Sequence, residues 1–120
     1  MGLWRKVYNF PHGFKGLYHV WRDEAQFPFQ VFLVALAIVL ALFLDVPPVE
    51  FLILITTLFL ALGSEVINTA VEELCDKVEP GHHPHIGKIK DIAQAYVYVA
   101  SVPAIIASAI ILLPRLIALL

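Results

Sequence analysis

The sequence predicts an all-α membrane protein in which an amphipathic surface helix precedes three transmembrane helices. Three observations carry this expectation. Of 120 residues, 60% are apolar and 15% charged, with a mean hydropathy of +0.82, well outside the usual range for a soluble domain. Three long apolar runs follow one another along the second and later parts of the chain. Ahead of them, aromatic and basic residues recur at helical spacing. A single membrane domain over 1–120 is implied. The formal charge of -2 gives no reason to expect a nucleic-acid partner, and the single cysteine, Cys75, excludes an intrachain disulfide or a Cys-rich metal site.

The first element is an amphipathic interfacial segment over 1–27. Trp4, Val7, Phe10, Phe14, Leu17, Tyr18 and Trp21 form the apolar stripe, while Arg5, Lys6, Lys15, His19 and Arg22 fill much of the opposite face. One or two helices lying on the membrane are expected, interrupted near Pro11, either as an anchor or as a lid that touches substrate. The first long apolar run begins only after Phe27, which is not the order of a secretory signal, so these residues are expected on the mature protein.

The first span covers 29–44 and ends at Asp45-Val46-Pro47-Pro48, where the prolines stop the helix and make a tight hairpin. The second helix covers 49–78. Its apolar first half is a little short of the ~20 residues needed to span, so its polar second half emerges into the headgroups. A loop over 79–90, marked by Pro80, Gly81 and Pro84, leads to the third span over 91–113, with Pro103 as a site for a kink. Arg5, Lys6, Lys15 and Arg22 precede the first span, Lys77, Lys88 and Lys90 lie between the second and third, and the hairpin has no basic residue. The positive-inside rule therefore makes the N-terminus and second loop cytoplasmic, and leaves the hairpin and Arg115 outside.

The polar half of the second helix is the candidate site. At 100° per residue, Glu65, Asn68, Thr69, Glu72 and Asp76 share one face, and Glu73 lies on its flank. Glu65 and Glu72 are two turns apart, about 10 Å along the axis, so one can sit near the acyl boundary while the other meets aqueous ligands. A buried carboxylate suits a general base, and carboxylates nearer water suit a hard cation such as Mg²⁺. Glu24, where the surface segment turns into the first span, is placed to add an oxygen ligand from a second direction, and Lys90 to offer positive charge to phosphate. Interhelical polar glue is the competing reading, but several carboxylates on one stripe cost more than glue requires. His82, His83 and His85 crowd a Pro/Gly loop without the spacing of a zinc site and read as a solvated loop. Gln94, Ser101 and Ser108 read as helix-packing residues.

The run Glu65-x-x-Asn68-x-Ala70-x-Glu72-x-x-x-Asp76, followed by Lys90-Asp91, resembles the signature of the prokaryotic integral-membrane diacylglycerol kinase and undecaprenol kinase family. The resemblance extends back through Lys15-Gly16-Leu17, Trp21 and Glu24-Ala25-x-Phe27, and includes His83-Pro84. It implies a homotrimer of three-span subunits in a bacterial cytoplasmic membrane, binding ATP and Mg²⁺ at the cytoplasmic surface and taking a lipid acceptor from the bilayer. By position it implies that Glu65 is the base for the lipid hydroxyl, with Trp21 also at the lipid. Glu24 and Glu72 would hold Mg²⁺ and the nucleotide's phosphates, and Lys90 and Asp91 would contact ATP. Arg5 and His83 align with nucleotide-binding residues, and Asn68 and Asp76 with polar residues that organise the site.

The chemistry is compatible, because phosphoryl transfer asks mainly for positioning and charge neutralisation. The sequence has no Gly-rich P-loop and no HRD or DFG motif, so its phosphate site must be built from helix carboxylates and metal. Oligomerisation also suits a polar stripe that one three-helix subunit can hardly shield from lipid. The chain departs from the family at Gln94 and Tyr96, where Gly, Ala or Ser are common, and at Pro28 and Gln30, where charged or longer polar residues are common. Those departures bear on the acceptor headgroup, a helix contact and the elbow after the surface segment. The resulting expectation is a diacylglycerol kinase, with undecaprenol as the alternative acceptor and a small proton-coupled transporter as the distant alternative.

Overall fold

A computed structural model describes residues 2–120 as four helices: α1 (Gly2–Asp23), α2 (Gln26–Phe43), α3 (Pro48–Val78) and α4 (Pro84–Leu119). The last three are each long and apolar enough to cross a membrane. The chain is thus all-α among the described residues, with the surface helix and three spanning helices that its composition predicts.

α1 runs without a break through Pro11, so the interruption expected there does not occur. Proline removes one backbone donor and crowds the preceding turn, but this helix has water or lipid on most sides to accommodate that. Its aromatic stripe stays at the surface, with Trp4 79% exposed, and Val20 alone among the described α1 residues is buried. Such a stripe suits the plane of a membrane interface. The turn into α2 is closed by the Glu24 N–H on the Val20 carbonyl (2.9 Å) and the Phe27 N–H on the Glu24 carbonyl (3.1 Å). Trp21 meets the buried Phe27 edge to face, with 6.4 Å between ring centroids, which fixes the elbow carrying Glu24.

The α2–α3 hairpin is tight for two local reasons. Asp45 takes the left-handed conformation, with φ of 53°, which a short polar side chain tolerates. Pro48 then occupies the first turn of α3, where its missing N–H costs no helical bond. With 31 residues α3 is about 46 Å long by the helical rise, longer than a hydrocarbon core of ~30 Å, so its acidic end projects beyond the lipid tails.

α4 begins at Pro84, well inside the 79–90 stretch that the sequence reads as loop, and runs past 113 to Leu119. Pro84 again fits a first turn, and the His83 side chain caps the start by accepting the His85 backbone N–H at 3.1 Å. From Ile86 to Lys90 there is no proline, and Gly87 weakens but does not stop a helix already started at Pro84, so the helix outruns its apolar part. Only five residues, Glu79 to His83, remain between α3 and α4.

α3 packs chiefly on α4, with α2 against both. Ala41, Leu54, Leu58, Ala104, Ile111 and Leu112 form the buried core, and small Ala41 and Ala104 let the backbones come close. Glu50, near the start of α3, pairs with Arg115, near the end of α4, at 3.0 Å. The two helices are therefore antiparallel, and the acidic end of α3 lies beside the lysine-bearing start of α4 at the opposite end from the hairpin.

Candidate functional site

The site is built where the polar half of α3 faces α2, α4 and the elbow after α1. Asn68 and Thr69 are buried, Glu65 and Glu72 half-buried, and Asp76 exposed. The shared face read from the 3.6 period is the face turned to the rest of the bundle. Thr69 returns its hydroxyl to the Glu65 carbonyl at 2.9 Å, satisfying itself within the helix.

Three sets of side-chain contacts organise the carboxylates. On α2, Gln30 Nε2 donates to Glu65 Oε1 at 3.0 Å. On α3, Asn68 Nδ2 donates to Glu72 Oε1 at 3.3 Å, and the same amide donates across to Gln94 Oε1 of α4 at 3.2 Å. Both hydrogens of that amide are thus engaged, while Asn68 Oδ1 is buried without a hydrogen-bond partner among the described residues. Farther out, Asp76 accepts from Lys90 Nζ across the α3–α4 pair.

Glu24 enters from the elbow. Its carboxyl pKa is raised, first by desolvation and then by the negative charges of Glu72 and Glu65. Glu24, Glu65 and Glu72 therefore share one electrostatic neighbourhood, although 48 residues separate the first from the last in sequence. Keeping this much like charge together is unfavourable unless a cation enters. Among the described residues no group of three or more His, Cys, Asp or Glu side chains is gathered tightly enough to hold a metal on its own. Two carboxylates with a neighbouring amide oxygen nonetheless fit Mg²⁺, which commonly takes one or two protein carboxylates and completes its shell with water and substrate phosphates.

The remaining predicted residues fall at the margins of this cluster. Asp91 is exposed on α4 next to Lys90, His83 caps that helix from an exposed position, and Trp21 supports the elbow through Phe27. The Arg5 side chain lies outside the described residues. Between α1 and α3 runs a cleft of about 430 Å³ bordered by Gly13, Gly16 and Val20 on one side and Thr69, Ala70 and Glu73 on the other. The structure also brings in two residues that the sequence reading did not count among the site residues. Gln94, read as a packing residue, joins the Asn68–Glu72 set, and Gln30, noted only as a departure, holds Glu65. Their one sequence signal was an amide placed in an apolar helix, which costs free energy unless it finds a partner.

Comparison with known proteins decides the class. The profile of the prokaryotic diacylglycerol kinases matches residues 11–112, most of the chain. The chain belongs to the prokaryotic diacylglycerol kinase family. A diacylglycerol kinase of Escherichia coli strain K12 is 32% identical over 92% of this chain and 91% of its own length. Another, from Pseudomonas aeruginosa, is 33% identical over 82% of this chain and 80% of its own. An undecaprenol kinase of Bacillus subtilis is 27% identical over 90% and 88%. The protein is a lipid kinase, a multi-pass bacterial membrane enzyme whose family uses ATP as co-substrate, and the transporter reading falls away.

Proposed function

We propose that this enzyme transfers the γ-phosphoryl group of Mg·ATP to the hydroxyl of diacylglycerol, forming phosphatidic acid at the cytoplasmic face of the membrane. The observation that carries this reading is the electrostatic convergence of Glu24, Glu65 and Glu72 at the end of the bundle that bears Lys90. Of the clustered carboxylates on α3, Glu65 lies farthest along the helix from its acidic end, and it serves as the base. Glu24 and Glu72 hold Mg²⁺, which when bound neutralises charge on the β- and γ-phosphates.

The step then balances simply. The acceptor hydroxyl gives its proton to Glu65 as its oxygen forms a bond to the γ-phosphorus, and the bond from that phosphorus to the bridging oxygen breaks, releasing ADP. Lys90 and Asp91 contact the nucleotide, Arg5 and His83 bind it from the surface helix and loop, and Trp21 helps seat the lipid. Asn68 and Asp76 support Glu72 and Lys90 through the bonds described above. The half-buried acidic edge favours assembly with copies of the chain, and a homotrimer completes the site between neighbours. The excess of Lys and Arg at the acidic end favours the cytoplasmic orientation.

A second acceptor is favoured by one finding, the similarity to a relative named undecaprenol kinase. Assaying ATP-dependent phosphorylation of diacylglycerol and undecaprenol in the same detergent micelles, with and without Mg²⁺, tests both. Faster Mg²⁺-dependent turnover of diacylglycerol is expected, and a preference for undecaprenol would overturn the acceptor assignment.

A further inference from the structure

We propose that Gln30 is a positioning residue that fixes the Glu65 carboxylate for proton abstraction, an inference that rests on reading Glu65 as the base. The bond from Gln30 Nε2 to Glu65 Oε1, at 3.0 Å, is the one side-chain hydrogen bond that carboxylate receives from another helix among the described residues. Gln30 sits in the second turn of α2 and is half-buried, so its amide projects from a fixed helix against α3. A glutamate side chain left alone in a helix has several rotamers to visit, and an amide donor on one oxygen restricts it to those that keep the bond. Among the described residues the one hydrogen bond to the Glu65 carboxylate falls on Oε1, which leaves Oε2 for the acceptor hydroxyl.

The chemical type of residue 30 also matters. Glu65 already shares its neighbourhood with Glu24 and Glu72. A lysine here would pair with the base and weaken it, and a second carboxylate would add to the repulsion. A neutral amide donates a hydrogen bond without changing the charge. Gln30 also borders an apolar cleft of about 250 Å³ between α2, α3 and α4, together with Leu33, Leu62, Ser101 and Ala104. The residue that bonds Glu65 thus also lines this apolar cleft.

Gln30→Met preserves length and suits the apolar cleft but removes the donor. It is expected to lower kcat by roughly ten- to hundredfold, as a misaligned catalytic group does, while leaving KM for Mg·ATP within about twofold. Gln30→Asn keeps the amide, shortens its reach by one methylene, and is expected to show the same loss. In a Glu65→Asp background, where the base is already displaced, adding Gln30→Met is expected to cost little more. Unchanged kcat in both Gln30 variants would overturn this inference alone, as would a loss that appears wholly in KM for ATP. If Glu65→Gln kept full activity, the base assignment itself would fail.

Discussion

Asn68 of α3 donates to Gln94 of α4 at 3.2 Å with the same side-chain nitrogen that donates to Glu72 at 3.3 Å. One buried amide thereby links the main helix pair to a proposed metal ligand. Removing Gln94 leaves that amide free to rotate and relaxes its hold on Glu72. Gln94→Ala is expected to raise the Mg²⁺ concentration for half-maximal activity several-fold, roughly what the loss of a hydrogen bond of about 1 kcal/mol produces. Asn68→Ala should do the same. The double variant should fall short of the two effects added together, because both act on one network. Additive effects in this cycle would contradict the linkage.

Glu24 stands where burial and the charges of Glu72 and Glu65 raise its pKa above the ordinary 4.5. An acid whose folded pKa is raised is protonated more readily in the folded chain than in the unfolded one. Its ionised form therefore opposes folding, and stability declines as pH rises from about 4.5 through the raised value. In detergent without Mg²⁺, Glu24→Gln is expected to flatten that decline and to give a Tm at neutral pH no lower than that of the wild type. Added Mg²⁺ should raise the wild-type Tm more than the variant's. The same substitution should cut kinase activity about a hundredfold or more. A variant that is less stable at neutral pH would contradict this account.

Lys90 and Asp76 form a largely exposed pair, so its contribution to stability is small. Its proposed value lies in holding Lys90 at the proposed phosphate site. Lys90→Ala is expected to lower kcat/KM for ATP by ten- to hundredfold, about 1.4 to 2.7 kcal/mol, with little change in Tm. Asp76→Ala should have a smaller effect, since the cation remains present. Measured Tm and ATP saturation curves for both variants check this.

At the far end of the bundle, Arg115 donates to Glu50 at 3.0 Å and to the Ile111 carbonyl at 2.7 Å. Arg115→Ala should destabilise the protein by about 1 kcal/mol and leave the kcat of the folded enzyme unchanged. A large loss of kcat in this variant would mean that the two ends of the bundle communicate.

The fold was legible because each of its signals is local. The apolar runs, the Asp45-Val46-Pro47-Pro48 break and the aromatic stripe of α1 each lie within one stretch of chain, and helical periodicity alone gathers Glu65, Asn68 and Glu72 on one face. The start of α4 was less legible, since Ile86 to Lys90 is polar enough for a loop yet helical once Pro84 and His83 supply its first turn. What the sequence could not reveal was pairing between helices. The bonds of Gln30 to Glu65 and of Asn68 to Gln94 span 35 and 26 residues and depend on how α2, α3 and α4 rotate against one another. An amide in an apolar helix announces that it needs a partner without saying which.

The most direct test is Mg·ATP-dependent phosphorylation of diacylglycerol in mixed micelles by the wild type and by Glu65→Gln. The account predicts robust turnover by the wild type and a loss of about 10²- to 10⁴-fold in kcat for the variant, the contribution of a positioned general base. Turnover by Glu65→Gln within a few-fold of the wild type would contradict it.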